Sequence, residues 1–353
     1  MSDSARVPRV EIGPAMSKPV RLAIVGGGMI AESAHLPAAL ECPAVEVVAL
    51  VDPVRERIAR LARRFGLAPL LAQDVSEVVG RIDAAVVATP NDTHMPIALK
   101  CIAGGVSVLI EKPLAACLDD GRAIADAGAA HGVLVAPGYV TRFRPNLRLL
   151  KALLDRNYFG RVRRFVHQFG TVGGWAPLSA YNLTRSATGG GVLMVTATHF
   201  VDRLIWFWGA PSEVSYWDDS RGGPEANCVA RFRYGGDDGF EGEARYSKTF
   251  SLAGSFVIET DRGTVLLADT DDAEILFRPH DSHGVVHAVR AVGDHQDGAR
   301  SPFVSQLQAF ADACRKTSAF PVSVEESLRS LELVERLYSC RQPLPDDWYG
   351  AAS

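Results

Sequence analysis

The sequence has 353 residues, of which 47% are hydrophobic and 22% are charged, and its formal net charge is −4. This length predicts two domains, and the lack of a clustered basic segment argues against nucleic acid or a membrane surface as a partner. No apolar run approaches the roughly 20 residues that span a bilayer, and the first 18 residues lack the apolar core of a signal peptide. The six cysteines show no CxxC spacing or pairing pattern, which favours a reducing compartment, so we expect a cytoplasmic protein.

The first part of the chain alternates short apolar runs with amphipathic segments. The predicted strands are Val20–Val25, Val45–Val51 and residues 84–88, 106–110 and 133–136. The predicted helices are a segment from the first glycines to about residue 40, then Arg55–Phe65, residues 96–103 and Leu118–His131. Strands that alternate with helices form βαβ units, so we expect an α/β domain of the Rossmann type with a parallel sheet.

A glycine-rich turn, GGGMIA at residues 26–31, follows the first predicted strand and fits the pattern G-x-G-x-x-G/A. In that pattern the first glycine allows a tight turn and the second lets the backbone approach a pyrophosphate. The alanine in the last position allows the new helix to pack on the sheet. The position between a strand and a helix makes the motif specific for a dinucleotide. The predicted cofactor contacts are Gly26, Gly28, Met29, Ile30 and Ala31.

An acidic residue, Asp52, follows the second predicted strand. It is placed to accept hydrogen bonds from the adenine ribose hydroxyls, and its charge would repel the 2′-phosphate of NADP. Arg55 and Arg57 would offset that repulsion if they turned toward the phosphate, although we expect them on the exposed face of the next helix. We therefore predict NAD as the cofactor, with NADP as the alternative.

Two polar segments, ATPNDTH at residues 88–94 and EKPL at residues 111–114, end the next two predicted strands. Ligands of open parallel sheets bind at the carboxyl ends of the strands. A lysine at that edge can polarise a hydroxyl or carbonyl oxygen, and partial burial would lower its pKa. Alternatively, Lys112 is a surface residue of a turn. The further predicted cofactor contacts are Thr89, Pro90, Asn91, His94, Glu111 and Lys112.

Beyond about residue 140 the pattern becomes β-rich between helices. The predicted strands are residues 163–169, 213–217, Asn227–Tyr234 and residues 239–247, 255–260, 264–268 and 274–278. The predicted helices are residues 145–157, 192–208, 304–316 and 324–340. Short strands joined by GGDDG and TDRG turns predict an α+β domain with a large, open and mostly antiparallel sheet that has one face available to a partner.

The motifs GGGxxA, Asp52, ATPNDTH, EKPL and then GGG-x(7)-H-x-x-D, in this order, resemble the Gfo/Idh/MocA family of oxidoreductases. The likeness runs from about Val20 to Cys340, and the EKP motif is its most specific part. It implies hydride transfer between a nicotinamide and a secondary alcohol or ketone carbon, usually on a sugar or cyclitol.

The resemblance also implies a domain organisation. A tail of residues 1–18 precedes an NAD(P)-binding Rossmann domain at residues 19–140. Residues 141–353 form the C-terminal α+β domain, which binds the substrate and carries the surface for oligomerisation. If the sheet has an open apolar face, we expect a homodimer or homotetramer, because large exposed apolar patches mark interfaces.

The family's late motif, GGG-x-x-x-D-x-G-x-H, places an aspartate and a histidine one helical turn apart. Here Val195 stands at the aspartate position and Ala197 at the glycine position, whereas His199 is retained. The resemblance implies that Lys112 and His199 are the catalytic residues.

The missing carboxylate leaves three alternatives. Thr196, Thr198 or Tyr181 substitutes for it, or Lys112 and His199 suffice, or the protein has moved away from ordinary dehydrogenation. Asp202 is expected to cap or orient within the same helix as the histidine. The substrate contacts that the resemblance implies are Lys112, Tyr139, Arg142, Trp175, Tyr181, Thr198 and His199.

The favoured function is an NAD(P)-dependent dehydrogenase or ketoreductase of a sugar, sugar nucleotide, aminoglycoside-type sugar or cyclitol. One alternative is an NAD-using glycosidase or epimerase with a transient oxidation. The other is a cofactor-binding sensor or scaffold with impaired catalysis. No metal site is expected, because the late histidines lack the compact ligand spacing of a zinc site.

Overall fold

The computed structural model describes residues 18–173, 180–236, 239–270, 274–290, 301–345 and 348. The predicted substrate contact Trp175 and nearly all of the predicted N-terminal tail lie outside these residues.

The N-terminal domain is built on a six-stranded parallel sheet with the strand order β3-β2-β1-β4-β5-β6. Its strands are β1 (Val20–Val25), β2 (Val45–Val51), β3 (Leu70–Ala72), β4 (Ala84–Val87), β5 (Ser107–Glu111) and β6 (Val135–Gly138). This order is that of a Rossmann domain, so the predicted α/β fold is confirmed. The short edge strand β3 was missed, because a strand of three residues leaves no periodic signal.

Helices cover both faces of this sheet. They are α1 (Leu36–Glu41), α2 (Arg55–Phe65), α3 (His94–Ala103) and α4 (Leu118–His131). A π-helical segment, Ala31–His35, joins the glycine turn to α1. Because all six strands are parallel, the loops after β1, β2, β4 and β5 meet at one edge of the sheet.

The C-terminal domain contains a nine-stranded sheet with the order β14-β13-β12-β11-β7-β10-β9-β8-β15. Its strands are β7 (Val162–Gly170), β8 (Glu213–Asp218), β9 (Asn227–Tyr234), β10 (Phe240–Ser247), β11 (Leu252–Thr260), β12 (Gly263–Ala268), β13 (Ile275–Pro279), β14 (His287–Val289) and β15 (Arg341–Pro343). The pairs β7–β10 and β8–β15 are parallel and the other described pairs are antiparallel, which confirms the mostly antiparallel sheet.

The remaining helices are α5 (Pro145–Asp155), α6 (Arg185–Thr188), α7 (Val192–Val195), α8 (Thr198–Trp208), α9 (Pro302–Cys314) and α10 (Val324–Ser339). The prediction of one helix over residues 192–208 is wrong, because a turn at Thr196–Ala197 separates the two helices α7 and α8. Phe200 of α8 packs edge-on against Phe165 and Phe256 of the sheet. Helix α9 instead packs in the apolar core of the Rossmann domain, to which Leu307 and Phe310 contribute.

The other face of the large sheet, which we name the open face, carries a row of alternating charges. The row runs across five paired strands through Glu213, Arg233, Glu241, Arg164 and Glu259. These five side chains are exposed, so this row across the sheet is charged and not apolar as the sequence led us to expect. Neighbouring members attract one another, as in the 3.5 Å contact between Arg233 and Glu241.

Candidate active site

The glycine turn after β1 leaves space where a dinucleotide would lie. Gly26 has φ +104°, and a Cβ there would lie 2.3 Å from the Ala88 carbonyl oxygen, so only glycine is accommodated. A Cβ on Gly28 would meet no atom within 4 Å. Ala31 is buried against the sheet, whereas Met29 and Ile30 are exposed. The turn therefore has the close approach and the open concave side that a pyrophosphate requires.

Asp52 lies directly after β2 and connects that strand to the glycine turn. Its Oδ2 accepts a 2.8 Å hydrogen bond from the Gly27 amide, and its Oδ1 accepts one from the Val54 amide. The carboxylate is buried, and the exposed guanidinium of Arg57 lies 3.8 Å from Oδ1. Asp52 thus supports the glycine turn as well as standing at the position expected for ribose recognition.

A buried pair joins the helical segment after the glycine turn to the end of β5. His35 Nε2 donates to Glu111 Oε1 over 2.8 Å, and the Lys112 amide donates to Glu111 Oε2. Burial opposes ionisation of Glu111, but the hydrogen bond and charge interactions with His35 and Lys112 prevail and lower its pKa. Sequence reasoning missed His35, because only the fold brings it to Glu111.

Lys112 reaches across the cleft to the C-terminal domain. Its Nζ donates a 2.9 Å hydrogen bond to the carbonyl oxygen of Val195. Val195 is the last residue of α7. Because the helix ends there, its carbonyl oxygen has no partner in a following helical turn and can accept from Lys112. Burial lowers the pKa of Lys112, and the charge of Glu111 opposes this shift. The ammonium is therefore held in place between the two domains.

His199 lies in the first turn of α8, four residues after Val195, whose carbonyl oxygen binds Lys112. Its ring packs edge-on against Tyr139, with the ring centres 6.3 Å apart. Burial lowers the pKa of His199 well below its ordinary value, and the positive charges of Lys112 and Arg144 add to the effect. The buried Nδ1 atom has no hydrogen-bond partner among the described residues. The imidazole is therefore neutral near pH 7 and able to accept a proton.

The three glycines before α7 are required by packing. A Cβ on Gly189 would lie 2.1 Å from the Ala116 carbonyl oxygen, and one on Gly190 would lie 1.9 Å from the Tyr338 hydroxyl. Gly191 abuts the backbone of Glu225, whose carboxylate accepts hydrogen bonds from the Gly191 and Leu193 amides. Glu225, which sequence reasoning missed, thereby fixes the start of α7 and the position of the Val195 carbonyl.

The predicted cofactor contacts after β4 connect neighbouring loops. The side-chain Nδ2 of Asn91 donates a 2.8 Å hydrogen bond to the Thr188 carbonyl oxygen, which connects the loop to the C-terminal domain. The two ring nitrogens of His94 each lie 3.0 Å from a carbonyl oxygen, one of Pro113 and one of Thr89. His94 therefore holds the loop of Thr89 and Pro90 against the segment that follows Lys112.

Two predicted substrate contacts are engaged within the protein. The Arg142 guanidinium forms two hydrogen bonds with Asp202, of 2.8 and 2.7 Å, and a third with Glu326. All three Arg142 nitrogens are thus occupied in a buried cluster, so the structure places this residue as a link between elements. Asp202, expected to cap its own helix, instead pairs with Arg142. Tyr139 is fully buried, and burial raises its pKa to about 12.

The other predicted substrate contacts differ in position. Tyr181 is half-buried, and burial and the charge of Glu111 raise its pKa. Thr198 is buried, with its hydroxyl 3.4 Å from that of Tyr139. Among the three candidates to replace the missing carboxylate, Tyr181 and Thr196 are half-buried, whereas Thr198 is buried.

A carboxylate distant in sequence, that of Asp269, opposes the lowering of the His199 pKa through its negative charge. Asp269, directly after β12, accepts hydrogen bonds of 3.0 Å from Arg144 and 3.1 Å from Arg203. Burial alone would raise the pKa of Asp269. The charge interactions with Arg203, His167 and Arg144 outweigh burial, so the pKa of Asp269 is lowered. The two arginines bring more positive than negative charge to this side of His199.

No group of three or more metal-ligating side chains occurs in the described part of the chain. None of the described helices is long and apolar enough to cross a membrane.

Two family models match the chain. The model of the Gfo/Idh/MocA oxidoreductase family, NAD-binding Rossmann fold, matches residues 20–139. The model of the Gfo/Idh/MocA C-terminal domain matches residues 147–266.

Similar proteins include the rhizopine catabolism protein MocA of Rhizobium meliloti, which is 29% identical over 214 residues, 58% of this chain and 65% of that protein. The scyllo-inositol 2-dehydrogenase (NAD(+)) of Bacillus subtilis strain 168 is 28% identical over 148 residues, 41% of this chain and 43% of that protein. The matched part of this chain spans less than two thirds of the length of either relative.

A solved structure with a similar fold is aldose-aldose oxidoreductase from Caulobacter crescentus in complex with glycerol. The TM-score is 0.81 at 20% identity, and the match covers 91% of this chain and 97% of that one. At this identity the likeness concerns the fold.

Proposed function

The chain belongs to the Gfo/Idh/MocA family, and we propose that it is an NAD-dependent dehydrogenase or ketoreductase. Its substrate is a secondary alcohol or ketone on a sugar, sugar nucleotide, aminoglycoside-type sugar or cyclitol. The observation that carries the proposal is the contact of Lys112 with the carbonyl of Val195, four residues before His199 in the sequence. It brings a cationic donor and a neutral imidazole together at the mouth of a dinucleotide site.

The residues of the glycine turn fit NAD. The open side of Gly28 would admit the pyrophosphate, and the Asp52 carboxylate would accept hydrogen bonds from the ribose and disfavour a 2′-phosphate. When bound, the nicotinamide supplies the hydride acceptor or donor. The chain itself must place the substrate carbon and manage one proton.

Lys112 orients the substrate oxygen. An ammonium has three N–H donors, of which the Val195 carbonyl takes one, so two remain for other acceptors. Its charge stabilises the negative charge that develops on the substrate oxygen as the hydroxyl proton leaves.

His199 accepts that proton during oxidation and returns it during reduction. Its Nδ1 is enclosed by protein, so Nε2 is the nitrogen that meets the cleft. Because its pKa is depressed, the ring stays neutral and competent as a base at pH values below those at which an ordinary histidine becomes protonated.

The names of the relatives support a polyhydroxylated ring as substrate, since one of them is a scyllo-inositol 2-dehydrogenase. The test is an anaerobic absorbance assay with NAD and a panel of cyclitols, aldoses and sugar nucleotides. NADH formed in step with substrate consumed supports the proposal. Product formed without net NADH would indicate a transient oxidation, as in glycoside cleavage or epimerisation. Cofactor binding with no turnover of any member would indicate a sensor.

We also propose that the chain forms a homodimer or homotetramer through the open face. An alternating row of charges is self-complementary about a two-fold axis, because a glutamate of one copy meets an arginine of the other. Light scattering should therefore show an oligomer at micromolar concentration. Arg233→Glu should weaken it, and adding Glu241→Arg should restore it, while Arg122→Glu on exposed α4 serves as the control. A stable wild-type monomer would contradict the assignment.

A further inference from the structure

His35 ends the helical segment that connects the glycine turn to α1. This segment, Ala31–His35, is π-helical, a rare geometry that is frequent at functional sites. His35 is 1% exposed. Its ring packs edge-on against Phe303 of α9, with the ring centres 5.3 Å apart. Burial and this contact hold the imidazole in place only a few residues after the glycine turn.

A chain of hydrogen bonds runs from His35 through Glu111 to the backbone of Lys112. Because the pKa of Glu111 is lowered, its carboxylate is ionised near pH 7 and only accepts hydrogen bonds. His35 Nε2 is therefore the donor in the 2.8 Å contact with Glu111 Oε1. The Lys112 amide donates to Glu111 Oε2 over 3.1 Å. The buried Nδ1 of His35 has no hydrogen-bond partner among the described residues, so the bond to Glu111 alone orients the ring by hydrogen bonding there.

The position of Glu111 determines how firmly Lys112 is held. Without the donor from His35, one oxygen of a buried carboxylate would lose its partner, which is unfavourable. Glu111 would then turn toward another donor and release the Lys112 amide. The other end of Lys112 is held by the Val195 carbonyl, which accepts from its Nζ over 2.9 Å. Lys112 is thus fixed at its backbone from one domain and at its ammonium from the other.

We propose that His35 is a positioning residue, which holds the Glu111 carboxylate so that the Lys112 ammonium is directed at the substrate oxygen. This inference rests on the proposed function, since it concerns the donor that orients the reacting oxygen. His35 is enclosed by protein, so it acts through Glu111. The ionised carboxylate also opposes the effect of burial on the pKa of Lys112, which favours the charged ammonium.

Leucine and glutamine are a matched pair of replacements for His35. They are similar in size, but only glutamine carries an N–H that can donate to Glu111. Hydrogen exchange, resolved to single residues by mass spectrometry, measures the protection of the Lys112 amide without any substrate. In His35→Leu this amide should exchange about tenfold faster or more, because its acceptor is no longer held. In His35→Gln it should exchange at the wild-type rate.

The amides of α4 control for the fold in the same measurement. Their exchange should be equal in the wild type and in both variants, whereas a general loss of stability would accelerate them as well. If His35→Leu fails to fold, His35→Asn takes its place in the comparison with His35→Gln. The asparagine side chain is one methylene shorter, so its amide should not reach Glu111.

Steady-state kinetics, with a panel member that the wild type oxidises, measures the effect on the reaction. His35→Leu should lower kcat by about 10–100-fold, because displacement of a positioned group by about 1 Å has an effect of this size. The KM for NAD should stay close to the wild-type value, and His35→Gln should retain most of the turnover. His131→Leu, which replaces an exposed histidine at the end of α4, should leave kcat unchanged.

The two measurements separate this inference from the proposed function. Equal exchange of the Lys112 amide in wild type and His35→Leu would overturn the inference, as would faster exchange with an unchanged kcat. Faster exchange in a protein whose wild type oxidises no panel member would reject the dehydrogenase and retain the hold of His35 on Lys112. Hydride transfer that ignores His35→Leu would do the reverse.

Discussion

Lys112 Nζ donates a 2.9 Å hydrogen bond to the carbonyl oxygen of Val195, the residue that stands where the family motif has an aspartate. The backbone thus supplies an acceptor to the lysine at the position where a side-chain carboxylate is missing. A neutral carbonyl positions the ammonium without adding a negative charge, so the field around His199 stays positive.

Lys112→Ala should lower turnover by about 10²–10⁴-fold, because it removes the donor that polarises the substrate oxygen. NAD binding should be largely retained, since the glycine turn and Asp52 do not depend on this side chain. Steady-state kinetics and cofactor titration measure the two effects. Lys100→Ala is the matched surface control, and wild-type turnover in Lys112→Ala would place the catalytic group elsewhere, with Tyr181 the first residue to test.

Val195→Asp should shift the pH dependence of kcat/KM for substrate oxidation. The depressed pKa of His199 predicts that kcat/KM falls only at pH values below the ordinary histidine range, where the base becomes protonated. A carboxylate four residues before His199 should favour the protonated ring and raise the pKa of His199, so the acidic limb of the profile should shift to higher pH. Val195→Asn has a similar shape without the charge and should not shift it. Equal profiles for both variants would disprove an electrostatic origin.

The wild-type protein should bind NAD more tightly than NADP, and Asp52→Ala should narrow this difference. Removing a repulsive charge near the 2′-phosphate is worth on the order of 1–2 kcal/mol, or about tenfold in the ratio of affinities. NAD affinity should also decline, because the Gly27 amide loses its acceptor. Fluorescence titration measures both cofactors, with exposed Asp119→Ala as control. Tighter NADP binding in the wild type would reject the assignment.

Gly190→Ala should destabilise the fold by about 1–3 kcal/mol, because the new methyl group would overlap the Tyr338 hydroxyl that bonds to Glu225. Gly80→Ala is the control, since a Cβ there meets nothing within 4 Å. Urea denaturation should show a lower midpoint for Gly190→Ala alone. Equal midpoints would mean that Tyr338 moves aside without cost.

The sequence alone predicted the Rossmann half closely. Strands β1 and β2 and helices α2 and α4 begin and end at the predicted residues, because β-branched runs, amphipathic periodicity and glycine caps are local signals. The glycine turn and Lys112 were found for the same reason. Each belongs to a short motif next to a strand end, and a parallel sheet brings such ends to one edge.

Tertiary structure decided the contacts that complete the site. The apolar pattern over residues 192–208 is uninterrupted, although a turn at Thr196–Ala197 separates α7 from α8. Such a pattern indicates which residues are buried and does not indicate where backbone hydrogen bonding stops. Arg142 and Asp202 lie 60 positions apart in sequence, so no local pattern distinguishes their buried pair from two separate charged residues. Glu225 reaches the site in the same way, since only packing brings the segment between β8 and β9 to the start of α7. The sequence thus determined which elements form and which motifs lie at their ends, while long-range packing decided which charges share one cleft.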